Sequence, residues 1–369
     1  MKLNNPFLVR GYFGSEYFCD RVRETSEMIT SLENEGDVTL IAPRRYGKTG
    51  LIHNVFNRIA DEYVTVYLDI YATNNLADFT RAFASAVVGS LDTKLEKALS
   101  DVAVFFKSCR PTITPQESGL PKFSFDVAPA NAEATLKEVF AYLKSRERRI
   151  VIAIDEFQQV LEYPERGTEA LLRGYLQTIP WARFVFAGSR QHLMREMFLS
   201  AKHPFYQSTD ILSLRPIDRE VYMEFARSFF AAKRKPFKPA AFFHAYDRFG
   251  GVTWYVQMVM RKLWADGAGV PDVAAVDRAV EYIVDTRKFE FYDLYRAQPE
   301  SARRLLKAIA DDGSVLEPQS GEFIARHSLR AASTVASSLK DLVARDMVYR
   351  TEAGYIVYDR FFGVWLKGL

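Results

Sequence analysis

Cysteine is nearly missing. Cys19 and Cys109 are too few and too isolated in 369 residues to form a disulfide framework or a zinc cluster, and a reduced compartment is the simpler expectation. No apolar run approaches the ~18 residues of a membrane span. The opening MKLNNPFLVRGYF also lacks the uninterrupted apolar stretch of a secretory leader, so a cytoplasmic location and no membrane partner are expected. Histidine is scarce as well, with five scattered residues that suggest core or surface positions rather than ligands. No protease triad or Rossmann fingerprint is visible. Charge of one sign does not dominate either: a net +3 leaves any nucleic-acid binding to a local patch rather than to bulk attraction.

What remains is an ordinary globular composition, 48% apolar and 26% charged, which excludes disorder as the class. The length suits two or three domains.

The most informative stretch is VTLIAPRRYGKTGLIHNVFNR, from Val38 to Arg58. Val38, Leu40 and Ile41 read as a strand. A turn with Pro43 and Gly47 follows, and then a helical pattern with Leu51, Ile52, Val55 and Phe56 on one face. Strand, loop and helix in this order gather backbone N–H groups and a helix's positive end at one spot, as phosphate binding requires. The loop from Pro43 through Arg44, Arg45, Tyr46, Gly47, Lys48 and Thr49 to Gly50 is the candidate nucleotide site. Lys48 would meet the β/γ-phosphates and Thr49 would ligate Mg²⁺. The Walker A pattern asks for Gly where Ala42 stands, so the turn must tolerate a Cβ there.

A second stretch, RIVIAIDEFQ, runs five apolar residues, Ile150 to Ile154, into Asp155 and Glu156. Such a run suits a strand buried on both faces of a parallel sheet, whose C-terminal edge is where ligands bind. Asp155 would hold Mg²⁺ through water, and Glu156 would orient or deprotonate the attacking water. RFVFAGS, Arg183 to Ser189, is a further apolar strand whose end places Ser189 and Arg190 at the same edge, as candidate γ-phosphate contacts.

With Tyr63 to Ile70 as another strand and helical spacing at Leu76 to Val88, Ala132 to Arg146 and Glu169 to Ile179, the order predicts an α/β fold with crossover helices. Phe105 to Ala130, with Pro111, Pro115, Pro121 and Pro129 around KFSFDV, is expected to be an excursion or surface hairpin. From Ile211 onward helices dominate, broken at Gly250-Gly251, as in a helical lid. Lys233, Arg234, Lys235 and Lys238 form a basic cluster that reads as a solvated loop or as a phosphate patch. The last part places helices at Ser301 to Asp311, Glu322 to His327 and Thr334 to Arg345. Strands at Met347 to Thr351 and Tyr355 to Tyr358 flank a Glu352-Ala353-Gly354 turn, which is the order of a winged helix. DRFFGVWL is expected to pack back on that hairpin. Three domains are expected: 1–215 for the nucleotide with an N-terminal strap, 216–295 for the lid and 296–369 for the winged helix. On the helix expected to face DNA, Arg330, Lys340 and Arg345 are few for a phosphate-tracking face, so DNA is the weaker partner reading.

Together these residues resemble the STAND class of AAA+-related P-loop ATPases, in particular its archaeal-ATPase-like group, over nearly the whole chain. IAPRRYGKTGL is similar to that group's Walker A with paired arginines, Arg44 and Arg45. IAIDEFQ is similar to its Walker B and FAGSRQHLM to its sensor-1 strand, which implies γ-phosphate sensing by Ser189 or Arg190. YFCDRVRE resembles the N-terminal element near the adenine. Arg21 and Glu24 match it, while Asp20 and Val22 depart from it. GGVTWYV resembles a lid element, with Thr253 in place of its proline, and YDRFFGVWL resembles the closing motif. The resemblance implies an ATP- and ADP-binding, Mg²⁺-dependent ATPase acting as a nucleotide-driven switch, with self-association or a protein as partner. The alternatives are an ATP-controlled DNA-binding protein and a non-catalytic nucleotide-binding scaffold.

Overall fold

The computed structural model describes residues 3–91, 102, 104–114, 122–267, 270–351 and 353–369. Pro115, Pro121 and the turn residue Glu352 lie outside the described residues. The chain divides into two compact units, Leu8–Tyr222 and Met1–Phe7 with Met223–Leu369.

The first unit is built on a five-stranded parallel sheet. Its strands are β1 (Val38–Ile41), β2 (Val64–Asp69), β5 (Ile150–Asp155), β6 (Ala182–Gly188) and β7 (Asp210–Ser213), ordered β2-β5-β6-β1-β7. β1 and β5 are buried along their whole length, as the apolar run of β5 requires, and the one polar residue of β1, Thr39, is hydrogen-bonded to Thr209. The period-2 pleat sends alternate side chains to opposite faces. Ile150, Ile152 and Ile154 join Phe184 and Phe186 in one core. Val151, Ala153 and Val185 join Met28, Leu32, Leu51 and Ile52 in the other. Helices α1 (Val22–Glu33) and α2 (Lys48–Ile59) therefore cover one face. The other is covered by α3 (Leu76–Leu91), α4 (Ala132–Lys144), α5 (Thr168–Leu176) and α6 (Gln191–Leu199).

The proline-rich excursion contains an antiparallel hairpin, β3 (Arg110–Thr114) with β4 (Lys122–Asp126). It is not wholly a surface feature. Phe123 and Phe125 are buried in the same core as α3, and Phe125 lies 4.8 Å from Phe106 ring to ring.

In the second unit the helices are α7 (Arg219–Ala232, beginning just before the boundary), α8 (Pro239–Arg248), α9 (Thr253–Asp266), α10 (Val273–Thr286) and α11 (Lys288–Arg296). Gly250 and Gly251 take positive φ, 58° and 68°, at the break between α8 and α9, where a side chain would be strained. Within the basic cluster Lys235 is committed locally: its ammonium donates to the Trp264 carbonyl at 2.9 Å and sits over that ring. Residues 3–7 belong to this unit. Phe7 is fully buried against Phe229, Phe230 and Trp264, and the Trp264 indole donates to the Asn4 carbonyl.

The winged helix comprises α12 (Glu300–Asp312), α13 (Gly321–Arg326), α14 (Ala332–Ala344) and the hairpin β8 (Val348–Thr351) with β9 (Gly354–Val357). A bridge from Val315 to Tyr355 adds a third short extended piece, which the sequence pattern did not reveal. The closing motif forms a helix of its own, α15 (Arg360–Lys367), capped by the Asp359 carboxylate. It touches β9, as expected, but its aromatic side is taken mainly by helices. Phe361 meets Phe249 and Tyr255 at 5.1 Å, and Phe362 meets Phe291 at 5.5 Å.

Candidate functional site

Three strand ends meet at the C-terminal edge of the parallel sheet. β1 and β5 both flank β6, so the loop after β1, the carboxylates after β5 and Ser189 after β6 are brought together by strand order. The loop leaving β1 solves the Ala42 problem in a simple way. Ala42 keeps a negative φ, and the left-handed turns fall instead on Arg45 (φ 72°) and Gly47 (φ 86°). Gly47 caps α2, and a Cβ there would meet nothing within 4 Å, so the space in front of the helix's N-terminus is open.

Lys48 is 7% exposed and points at two carboxylates. Its Nζ lies 2.6 Å from Asp155 Oδ1 and 3.1 Å from Glu156 Oε1. The Thr49 hydroxyl donates to Asp155 Oδ2 at 3.0 Å. Asp155 Oδ1 also accepts from the Glu156 backbone N–H at 2.9 Å. Glu156 itself holds a left-handed φ of 58°, a conformation that non-glycine residues rarely adopt away from functional turns. Its Oε2 accepts from Ser189 Oγ at 2.6 Å and from Gln158 Nε2 at 2.7 Å. Burial by itself would raise the Glu156 carboxyl, but the Lys48 charge and the hydrogen bonds from Ser189, Gln158 and Lys48 outweigh it and hold the group below its ordinary value. Arg44 reaches Ser189 Oγ through Nε at 3.3 Å and lies over the Tyr71 ring.

The structure therefore brings Lys48, Thr49, Asp155, Glu156, Ser189 and Arg44 into one cluster. Arg190 is directed elsewhere, its guanidinium pairing with Glu162. Arg21, 4% exposed, braces the loop from below by donating to the Tyr46 carbonyl at 3.3 Å while paired with Glu24. Asp20, one of the two departures from the resembling element, and Arg21 both take positive φ, 56° and 61°.

Two residues at this edge were not singled out from sequence. Tyr67 donates its hydroxyl to Asp155 Oδ2 at 2.9 Å, and Gln158 grips Glu156. The signal for each was faint: a tyrosine on the opposite pleat to Val66 and Leu68, and a buried amide just past a pair of acids.

Residues 18–259 match the family described as an ATPase domain predominantly from Archaea, and residues 289–368 match a probable winged helix domain. The chain belongs to this archaeal-type ATPase family. An uncharacterised ATP-binding protein of Pyrococcus horikoshii is 27% identical over 155 residues, 41% of this chain and 46% of that relative. The chain thus spans under half the length of the curated relative it matches. Among solved structures, a Walker-type ATPase of Pyrococcus abyssi superposes with a TM-score of 0.67 at 17% identity, covering 98% of this chain and 99% of that one. The ORC2 protein of Aeropyrum pernix, solved in ADPNP–ADP complexes, gives 0.61 at 16% identity, covering 98% and 95%. At such identities the likeness speaks for the fold: a P-loop NTPase sheet with a winged helix. Among the described residues no helix is long and apolar enough to cross a membrane.

Proposed function

We propose that this chain binds Mg·ATP at the β1–α2 loop and hydrolyses it slowly, as a switch of the STAND kind. The observation that carries the reading is the meeting of Lys48 Nζ with Asp155 Oδ1 at 2.6 Å, across 106 residues of chain, with Thr49 on the same carboxylate. The donor set fits a hard cation: a hydroxyl and a carboxylate suit Mg²⁺ with water completing its shell. When bound, Mg²⁺ would supply charge neutralisation to the phosphates. The loop from Pro43 to Gly50 offers its N–H groups and the α2 dipole to phosphate. Lys48 would exchange a carboxylate for the phosphates, and Thr49 and Asp155 would hold the cation. Glu156, kept anionic, orients the attacking water or takes its proton. Ser189, with Arg44 beside it, would report on the γ-phosphate, and Arg190 would join them only after leaving Glu162. Arg21 supports the loop carbonyl at Tyr46 rather than the phosphates.

The test is a pair of variants. Glu156→Gln should still bind ATP but turn over at least ~10²-fold more slowly. Lys48→Ala should lose nucleotide binding. Wild-type turnover in Glu156→Gln would refute the assignment. Self-association or a protein partner fits a switch, and a size measurement with ATP, ADP and no nucleotide tests it.

Duplex DNA is the second partner reading, since a winged helix is present. Three winged-helix cations are ion-paired, Arg304 with Glu300, Lys307 with Asp311 and Arg326 with Asp312 and Glu322, and Arg345 reaches Gln298. Exposed ion pairs of this kind leave little net field for a phosphate backbone. A mobility shift at low salt, weakened by substituting Arg330 and Lys340, would restore DNA as the partner.

A further inference from the structure

The proposed site leaves one strongly placed group without a role. Tyr67 lies in the middle of β2, on the pleat opposite Val66 and Leu68, so its ring faces α2 rather than the α3 core. Its hydroxyl donates to Asp155 Oδ2 at 2.9 Å, the same oxygen that accepts from Thr49 at 3.0 Å. The other oxygen, Oδ1, takes Lys48 at 2.6 Å and the Glu156 N–H at 2.9 Å. Asp155 thus has a donor for each of its four lone-pair directions. Three of these donors come from the phosphate loop or from the next residue along. Only Tyr67 approaches from the neighbouring strand, and β2 is fixed to β5 by parallel pairing from Val64–Ile150 to Asp69–Asp155.

The ring cannot easily turn away. His53 of α2 packs on it with centroids 4.8 Å apart, and Tyr12 and Phe56 back His53 in turn. A phenol hydroxyl carries its proton at neutral pH and so faces the carboxylate as a donor.

We infer that Tyr67 is a positioning residue for the cation, holding Asp155 Oδ2 in place when Thr49 and Lys48 turn from the carboxylate to Mg²⁺ and phosphate. The inference rests on the Mg·ATP reading above. When Lys48 and Thr49 leave, the Glu156 N–H still holds Oδ1, and Tyr67 is the donor that remains on Oδ2. Its hydroxyl belongs to the outer shell of the cation site, where removal of such a partner typically costs about 10-fold or more in metal affinity.

The experiment uses the full-length protein with Tyr67→Phe, which keeps the ring and its packing. Binding of a fluorescent ATP analogue is titrated in EDTA and again across a Mg²⁺ series, with thermal unfolding followed in parallel. The expected result is analogue affinity in EDTA within two-fold of wild type, and a Mg²⁺ midpoint raised by about 10-fold. An unchanged midpoint overturns the inference. So does an equal loss of binding with and without Mg²⁺, which would make Tyr67 a packing residue only. If Tyr67→Phe fails to fold, His53→Leu serves as the second variant. It removes the backing of the ring and leaves the hydroxyl, and its Mg²⁺ midpoint should rise while analogue binding in EDTA holds; an unchanged midpoint overturns the inference there too. Wild-type protein that binds the analogue identically with and without Mg²⁺, together with an Asp155→Asn variant that behaves the same, sinks the site reading itself, and the inference with it.

Discussion

At the level of single residues, Lys48 already has a structural task without nucleotide. It is a buried cation neutralising two carboxylates, and removing one partner of such a cluster leaves uncompensated buried charge at a cost of roughly 3–5 kcal/mol. Lys48→Ala is therefore expected to lower the unfolding temperature in the absence of nucleotide as well as to lose ATP binding. Lys48→Arg, which keeps the charge, should recover much of the stability without recovering the binding; calorimetry of both variants checks the split. Gly188 shows a different constraint. A Cβ there would come within 2.4 Å of Gln158 Oε1 and of Met194, so Gly188→Ala should cost about 1–3 kcal/mol of stability and disturb the amide that holds Glu156. Asp37 carries a pH dependence. Its carboxyl accepts from the Phe184 N–H at 2.7 Å, yet burial pushes it up to about 6, only partly offset by that bond and by Arg183 and Arg173. Because the folded value lies above the unfolded one, its stabilising contribution is complete below the unfolded pKa and is lost as pH rises through about 6. Asp37→Asn, whose amide oxygen keeps the bond, should gain roughly 1–2 kcal/mol at pH 8 and nothing near pH 4, which urea titrations at both values would detect.

Among elements, the winged-helix hairpin and the closing helix depend on local features that the sequence displayed without explaining. Gly354 holds φ 117°, and a Cβ would meet the Val315 backbone at 2.5 Å. The close approach serves the Val315–Tyr355 bridge. Gly354→Ala should strain the turn and open that bridge, visible as lost amide protection at Val315 and Tyr355. Asp359 caps α15 by accepting from the N–H groups of Phe361 and Phe362 at 2.9 and 3.2 Å, and it also meets Arg287. Asp359→Ala should cost about 1–2 kcal/mol. The Tyr255 hydroxyl, which accepts from the Arg360 N–H at 3.0 Å, should keep the helix in place. The closing motif therefore fastens the winged helix to the helical segment within one unit, through helix α15 rather than through the hairpin.

For the whole molecule, the two units predict an unequal response to ligand. The proposed nucleotide contacts all come from Leu8–Tyr222, so ATP should stabilise that unit first, by about 2.7 kcal/mol at a hundred times the dissociation constant. Two-step thermal unfolding whose one step moves with ATP, and no such movement in Lys48→Ala, is the expected pattern.

The sequence by itself determined the elements and their chemistry: an apolar run too continuous for a surface strand, a Gly-Lys-Thr at a helix start, acids closing a buried strand, and helices followed by a hairpin. These are local patterns, set by the 2.0 and 3.6 residue periods of strand and helix. Which side chains touch across those elements was decided only by the tertiary structure. Strand order set Ser189 beside Glu156, the β2–β5 register brought the Tyr67 hydroxyl to Asp155, and the start of α6 turned Arg190 to Glu162. Such meetings hinge on sheet order and on the direction of each Cβ, and a one-residue change of register would send every one of these side chains to the opposite face.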